Sequence, residues 1–273
     1  PGAAYPGDSK FGSMGGLTCV LAEKLDRESV YDAIKARHFY ATSGCRALLD
    51  LRVEMEDGRQ AIMGEVVKVG RGEVILHVRL VGSAPIARID VYNGVELISI
   101  HRTYNEEDLG RRVKVLRNGV RERGQDRGVN WDGRLKVKDN RIIGTETINF
   151  WNPDQPLKQM DETTLCWQSF TTGAAKGFIM TLAQADSGCC EIDSKQIKTT
   201  FSLHEIGLEP KVWELGFLEK SLQVYQLPDR LEKCEIEFSI GIKDLKQGDN
   251  PIYIRAMQED GFLVWSSPIY LVA

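Results

Sequence analysis

The hydrophobic pattern of the chain changes period once, near residue 46. Before that point the apolar positions follow a helix: Val30, Tyr31 and Ile34 share one face of a stretch running from Asp26 to about Arg37. The Asp26 carboxylate can accept from the free amides of the first turn. Glu28 sits near the positive end of that helix, and Lys35, Arg37 and His38 sit near the negative end. "LTCVLA" (17–22), just upstream, is a short apolar run and reads as a buried strand, half of a β-α unit whose parallel strands need neighbours. From Arg46 onward the period is two. "ALLDLRVEME" alternates and ends at a Asp57-Gly58 turn, and "IARIDVYNGVELISI" contains the hairpin dipeptide Asn93-Gly94. "KGFIMTLAQ", "KCEIEFSIGI", "PIYIRAMQ" and "FLVWSSPIYLV" continue the series. Many short strands separated by turn signals predict a mainly β chain, an antiparallel sandwich or sandwiches preceded by a single strand–helix unit.

Composition narrows the function classes. Hydrophobic residues make up 42% and charged residues 27%, ordinary for a chain that buries a core. The net charge of −4 supplies no global attraction for nucleic acid or an anionic membrane. Apolar runs such as "GFIMTLA" are too short to span a bilayer. The six cysteines form no C-x-x-C pair, and a bridge between the adjacent Cys189 and Cys190 would be strained. Reduced thiols are expected, which leans toward the cytoplasm, with the periplasm open to a parent that carries a leader.

No catalytic constellation stands out. The four histidines, His38, His77, His101 and His204, are scattered, with no H-x-H, no H-E-x-x-H and no Cys/His pair at zinc spacing. There is no G-x-S-x-G and no phosphate-binding glycine loop. Cys45 reads as a small apolar residue at a domain joint. Residues 111–127 carry six arginines and one lysine against Glu122 and Asp126. Arg111, Arg112, Arg121 and Arg123 are candidate phosphate or nucleic-acid contacts. Without interleaved aromatics, a solvated charge cluster on a strand edge is the plainer expectation. Trp131, Trp151 and Trp167 could stack on a sugar or another flat ligand, whereas core packing is the commoner use of such side chains.

Four stretches of the chain carry a resemblance. The segment Gly16–Ala22, the helix after it, and "YATSG" (40–44) resemble the last strand–helix unit and exit strand of the PHP (polymerase and histidinol phosphatase) fold. "GDNPIYIRAMQEDGFLVWSSPIY" (248–270) resembles the closing hairpin of the β-domain attached to such proteins. "VNWDGRLKV" and "WQSFTTGAAKGF" resemble elements of a subgroup with a long β-rich C-terminal region.

The resemblance implies a metal-dependent phosphoesterase parent whose barrel holds divalent Zn, Mn or Mg ions. Its ligand motifs are missing here, so no catalytic or metal-binding residue is carried over. The expectation is a C-terminal accessory region, with Pro1-Gly2 as the tail of the last barrel motif, no cofactor of its own and no catalysis by itself. Its partners would be the missing barrel or a second copy, met through Val30, Tyr31 and Ile34. The alternative is a carbohydrate- or protein-binding sandwich module. The expected organisation is a barrel remnant over 1–45, a sandwich from 46–105 plus 232–273, and a β-rich insertion or second sandwich over 106–231.

Overall fold

A computed structural model describes residues 15–70, 73–119, 128–150, 152, 154–171, 175–216, 220–243 and 245–273. The chain divides into two compact units, Pro1–Thr103 with Leu231–Ala273, and Tyr104–Arg230. Both are mainly β, and among the described residues the ladders are antiparallel except for one. No helix among the described residues is long and apolar enough to cross a membrane.

The discontinuous unit begins with β1 (Leu17–Val20), α1 (Arg27–Lys35), β2 (Phe39–Thr42), β3 (Leu48–Glu54) and β4 (Gln60–Ile62). It continues with β5 (Val66–Lys68), β6 (Val74–Val81), β7 (Ile86–Asn93) and β8 (Glu96–His101). The other unit supplies β9 (Leu109–Asn118), β10 (Val129–Asn130), β11 (Gly133–Lys138), β12 (Ile142–Ile148), β13 (Leu157–Gln159) and β14 (Thr164–Trp167). Its remaining strands are β15 (Phe170–Thr171), β16 (Lys176–Leu182), β17 (Cys189–Ser194), β18 (Lys198–Ser202), β19 (Lys211–Glu214) and β20 (Ser221–Pro228). The chain then returns to the first unit with β21 (Glu235–Ile242), β22 (Asp249–Gln258), β23 (Leu263–Ser266) and β24 (Ile269–Val272).

In the discontinuous unit, alternation decides the layers. Val74, Leu76, Val78 and Leu80 of β6 point inward, while Ile75, His77 and Arg79 point out. Among the described residues the smaller sheet runs β21-β6-β3-β4, and the larger one has eight strands with β22 at its heart. Leu51, Val53 and Leu76 from the first meet Ile89, Ile254 and Val264 from the second in one core.

β22 is flanked on one side by β7 and on the other by β23 and then β24. The run "FLVWSSPIYLV" was expected as one strand, but it breaks at Ser267-Pro268. Proline has no amide to donate. The Ser266 hydroxyl accepts from the Ile254 amide at 3.0 Å, and Pro268 O accepts from the Gly64 amide at 2.9 Å. The bend lets β23 pair with β2 while β24 takes β5 in the parallel pairing.

The continuous unit packs two five-stranded sheets, β12-β16-β9-β20-β19 and β13-β14-β11-β17-β18, around Val115, Leu135, Phe178, Ile192 and Val224. Burial pushes the Cys190 thiol in that core up to about 12, so it is inert packing. All six cysteines are free.

Candidate functional site

The opening strand–helix–strand differs from its expected form. β1 pairs antiparallel with β2, so it makes no parallel β-α unit, and it is half exposed at the end of the eight-stranded sheet. Among the described residues β1 has no second strand beside it. Apolar groups in and just after it turn outward: Leu17 and Leu21 are each 37% exposed and Leu25 fully so.

The helix is capped as its sequence dictates, Asp26 Oδ1 accepting from the Ser29 amide at 2.8 Å. Ala33 is the helix residue that is buried, and Val30 is partly covered. Tyr31 and Ile34, expected to cover a sheet or a partner, are 57% and 48% exposed, with Lys35 Nζ 4.6 Å from the Tyr31 ring centroid.

The helix is fixed at its far end by Arg37, which takes the left-handed conformation at φ 62° and donates to Gly64 O from Nη2 at 2.8 Å and Nε at 3.2 Å. Gly64 itself sits at φ 92°, where a Cβ would lie 2.3 Å from Ala36 O. Among the described residues this edge offers an apolar surface and strand backbone without a second neighbour, which suits contact.

The basic stretch is where expectation and structure part most clearly. β9 is the central strand of its sheet rather than an edge. Arg111 is exposed and pairs with Asp229 through Nη2 at 3.2 Å. Arg112 is buried and pairs with Glu146 at 3.0 Å. Lys114 is buried with its Nζ 5.9 Å from the Tyr225 ring centroid. Arg117 is 1% exposed. A phosphate backbone could reach only Arg111 of these four. Arg121 and Arg123 lie outside the described residues.

The tryptophans are likewise core. Trp131 is 0% and Trp167 4% exposed, so neither presents a stacking face to a ligand in solution. Their indoles are tied inward: Trp131 Nε1 donates to Thr171 Oγ1 at 2.9 Å, and Trp167 Nε1 donates to Trp131 O at 2.6 Å. Trp151 lies outside the described residues.

One arrangement was invisible to sequence reading. On the outer face of β21, β6 and β3, Ser239 Oγ lies 2.8 Å from His77 Nδ1, and Glu54 Oε2 lies 3.4 Å from His77 Nε2. The residues are far apart in the chain and meet only through strand register. The line has the members of a hydrolytic triad, but among the described residues no free oxyanion donor stands beside it. Strand amides are spent in the ladders, Arg52 is held by Asp50 and Arg79 by Glu235. Among the described residues, no three His, Cys, Asp or Glu side chains gather as metal ligands.

Residues 4–57, which include β1, α1 and β2, match the model of a family described as "Protein of unknown function (DUF3604)". Comparison with curated proteins and with solved structures found no match.

Proposed function

We propose that this chain acts as the non-catalytic, β-rich accessory region of a PHP-like metal-dependent phosphoesterase, and that the α1–β1 edge is where the phosphoesterase barrel packs. The observation that carries the reading is the β1 edge, unpaired among the described residues, beside exposed Leu17, Leu21, Leu25, Tyr31 and Ile34, all inside the family-matched segment. An uncharged edge strand with no proline or lysine lacks the usual protection against pairing, so a cover is expected. The divalent ions of such an enzyme would be held by the barrel's own side chains. Covering what remains exposed of Tyr31 and Ile34, about half of each side chain, would contribute on the order of 1 kcal/mol each.

The test uses the chain alone and the chain mixed with, or fused behind, a PHP-like barrel. Hydrolysis of bis(p-nitrophenyl) phosphate is followed with Mn²⁺ or Zn²⁺. The chain alone should be inactive, and Tyr31→Asp with Ile34→Asp should weaken association with the barrel at least a hundredfold. Metal-dependent turnover by the chain itself sinks the proposal. So does a concentration-dependent homodimer that the same pair of substitutions dissolves, because the edge would then belong to a second copy. Burial of Trp131 and Trp167 takes two of the three candidate tryptophans from the binding-module alternative, and Trp151 lies outside the described residues.

A further inference from the structure

A depression of about 610 Å³ lies on the sheet β13-β14-β11-β17-β18, lined from β14, β11, β17 and β18. Alternation buries Leu135, Val137, Leu165 and Ile192 in the core and turns their neighbours outward. Register sets those outward side chains in rows. Lys158, Cys166, Arg134, Asp193 and Lys198 form one row across all five strands. Thr164, Lys136, Glu191 and Thr200 form the next, and Lys138 follows Lys136 on β11. The outward strand positions thus hold five cations, two carboxylates and no aromatic ring, in a chain whose net charge is −4. Both carboxylates are engaged. Asp193 pairs with Lys198 Nζ at 3.3 Å and Arg134 Nη2 at 3.5 Å, and Glu191 pairs with Lys138. Lys136 and Lys158 are exposed, and among the described residues neither makes a side-chain hydrogen bond or an ion pair.

This composition selects a ligand. The cations stand about 7 Å apart along β11 and about 10 Å apart across alternate strands, which fits spaced charges on an extended chain better than one small ion. A chain with phosphate at every link would be repelled by Glu191 and Asp193 in the same rows, and without aromatic rings there is nothing for a base to stack on. A sugar chain meets the opposite case. Its hydroxyls donate to those carboxylates and exchange hydrogen bonds with Thr164 and Thr200. Its acidic groups answer the two lysines that the strands leave unpaired.

We propose that this sheet face binds an anionic polysaccharide, with its carboxylate or sulfate groups on Lys136 and Lys158 and its hydroxyls on Thr164, Glu191 and Thr200. The site lies in the continuous unit and does not rest on the α1–β1 edge.

The experiment is calorimetric titration of the full chain at 50 mM salt with polygalacturonate, heparin, dextran and polyphosphate. Polygalacturonate, heparin or both should bind, and the pattern tells a carboxylate ligand from a sulfated one; neutral dextran should not bind. Raising the salt to 200 mM should weaken binding by about threefold or more. Lys136→Glu with Lys158→Glu should weaken it by about tenfold or more while leaving the Tm unchanged, since both side chains are exposed. Lys68→Glu with Lys243→Glu makes the same change in net charge on exposed residues of the other unit, and should change binding by less than about twofold. No binding of either acidic polysaccharide at 50 mM salt overturns the proposal, as does an equal loss in the two double variants. Tighter binding of polyphosphate than of both acidic polysaccharides overturns the ligand class.

Discussion

Asn250 is the side chain on which the C-terminal closure of the discontinuous unit turns. It is fully buried at the start of β22. Its Oδ1 accepts from the Lys246 amide at 2.8 Å and from Asn93 Nδ2 at 2.9 Å. Its Nδ2 donates toward Lys246 O at 2.8 Å, Gly248 O at 3.1 Å and Leu271 O at 3.2 Å. One amide thus binds the turn before β22, strand β24 and the β7 hairpin.

Asn250→Ala removes all five contacts and leaves the Lys246 amide and the inner carbonyls to find other partners. At about 1 kcal/mol net per hydrogen bond, with a larger penalty for each group left buried, the loss should be about 3–5 kcal/mol. That is a large part of the stability of an ordinary domain. Asn250→Asp is the sharper probe. It keeps Oδ1 but turns the donor into a second anionic oxygen facing carbonyls, so the folded state favours the protonated acid and raises its pKa. Stability of this variant relative to wild type should be best near pH 4 and fall as pH rises through the raised folded value.

Because the chain has two units, the readout should be local: hydrogen exchange of peptides covering β7, β22 and β24, with urea unfolding alongside. A loss below about 1 kcal/mol for Asn250→Ala, or an Asn250→Asp that matches wild type at pH 7, refutes the reasoning.

Two further outcomes are expected. Gly64→Ala should cost about 2 kcal/mol or more, because the left-handed backbone and the Ala36–Arg37 carbonyls leave no room for a Cβ; faster exchange across α1 and β5 checks it, and unchanged exchange refutes it. Burial would raise the Asp132 carboxyl, but Lys195 Nζ at 2.9 Å, Asn130 and the Ser169 amide at 3.0 Å outweigh it and hold it below the usual value. Its contribution is therefore present above about pH 4 and lost as pH falls through the lowered folded value; the Tm gap between wild type and Asp132→Asn should close in acid, and a gap that widens there contradicts the assignment.

What was legible in the sequence was local. The two-residue period of β3, β6 and β22 marks inward and outward positions correctly, and the Asp26 cap fixes where α1 starts. What failed was non-local. Charge along β9 reads as solvent contact, yet Arg112 is neutralised by Glu146 from another strand and Lys114 lies under Tyr225. Nothing near residues 111–118 announces those partners. The apolar β1 reads as buried because hydrophobicity says that a residue seeks cover and cannot say whether the cover is within the same chain. Pro268 did carry a signal, since a proline inside a central run argues against one continuous strand. The Ser239–His77–Glu54 line could not have been found without register.

The order in which the strands leave the ribosome follows from this topology. β6 and β7 are made early, but their partners β21 and β22 come after the whole Tyr104–Arg230 unit. At ordinary translation speed that delay is on the order of ten seconds. During it, β7 waits with one edge unclaimed while the later-made unit, contiguous in the chain, is free to fold first. Synthesis of β21 and β22, rather than collapse of the strands made before them, sets when the first sandwich closes, and a chaperone that masks strand edges would act on residues 74–101 in that interval.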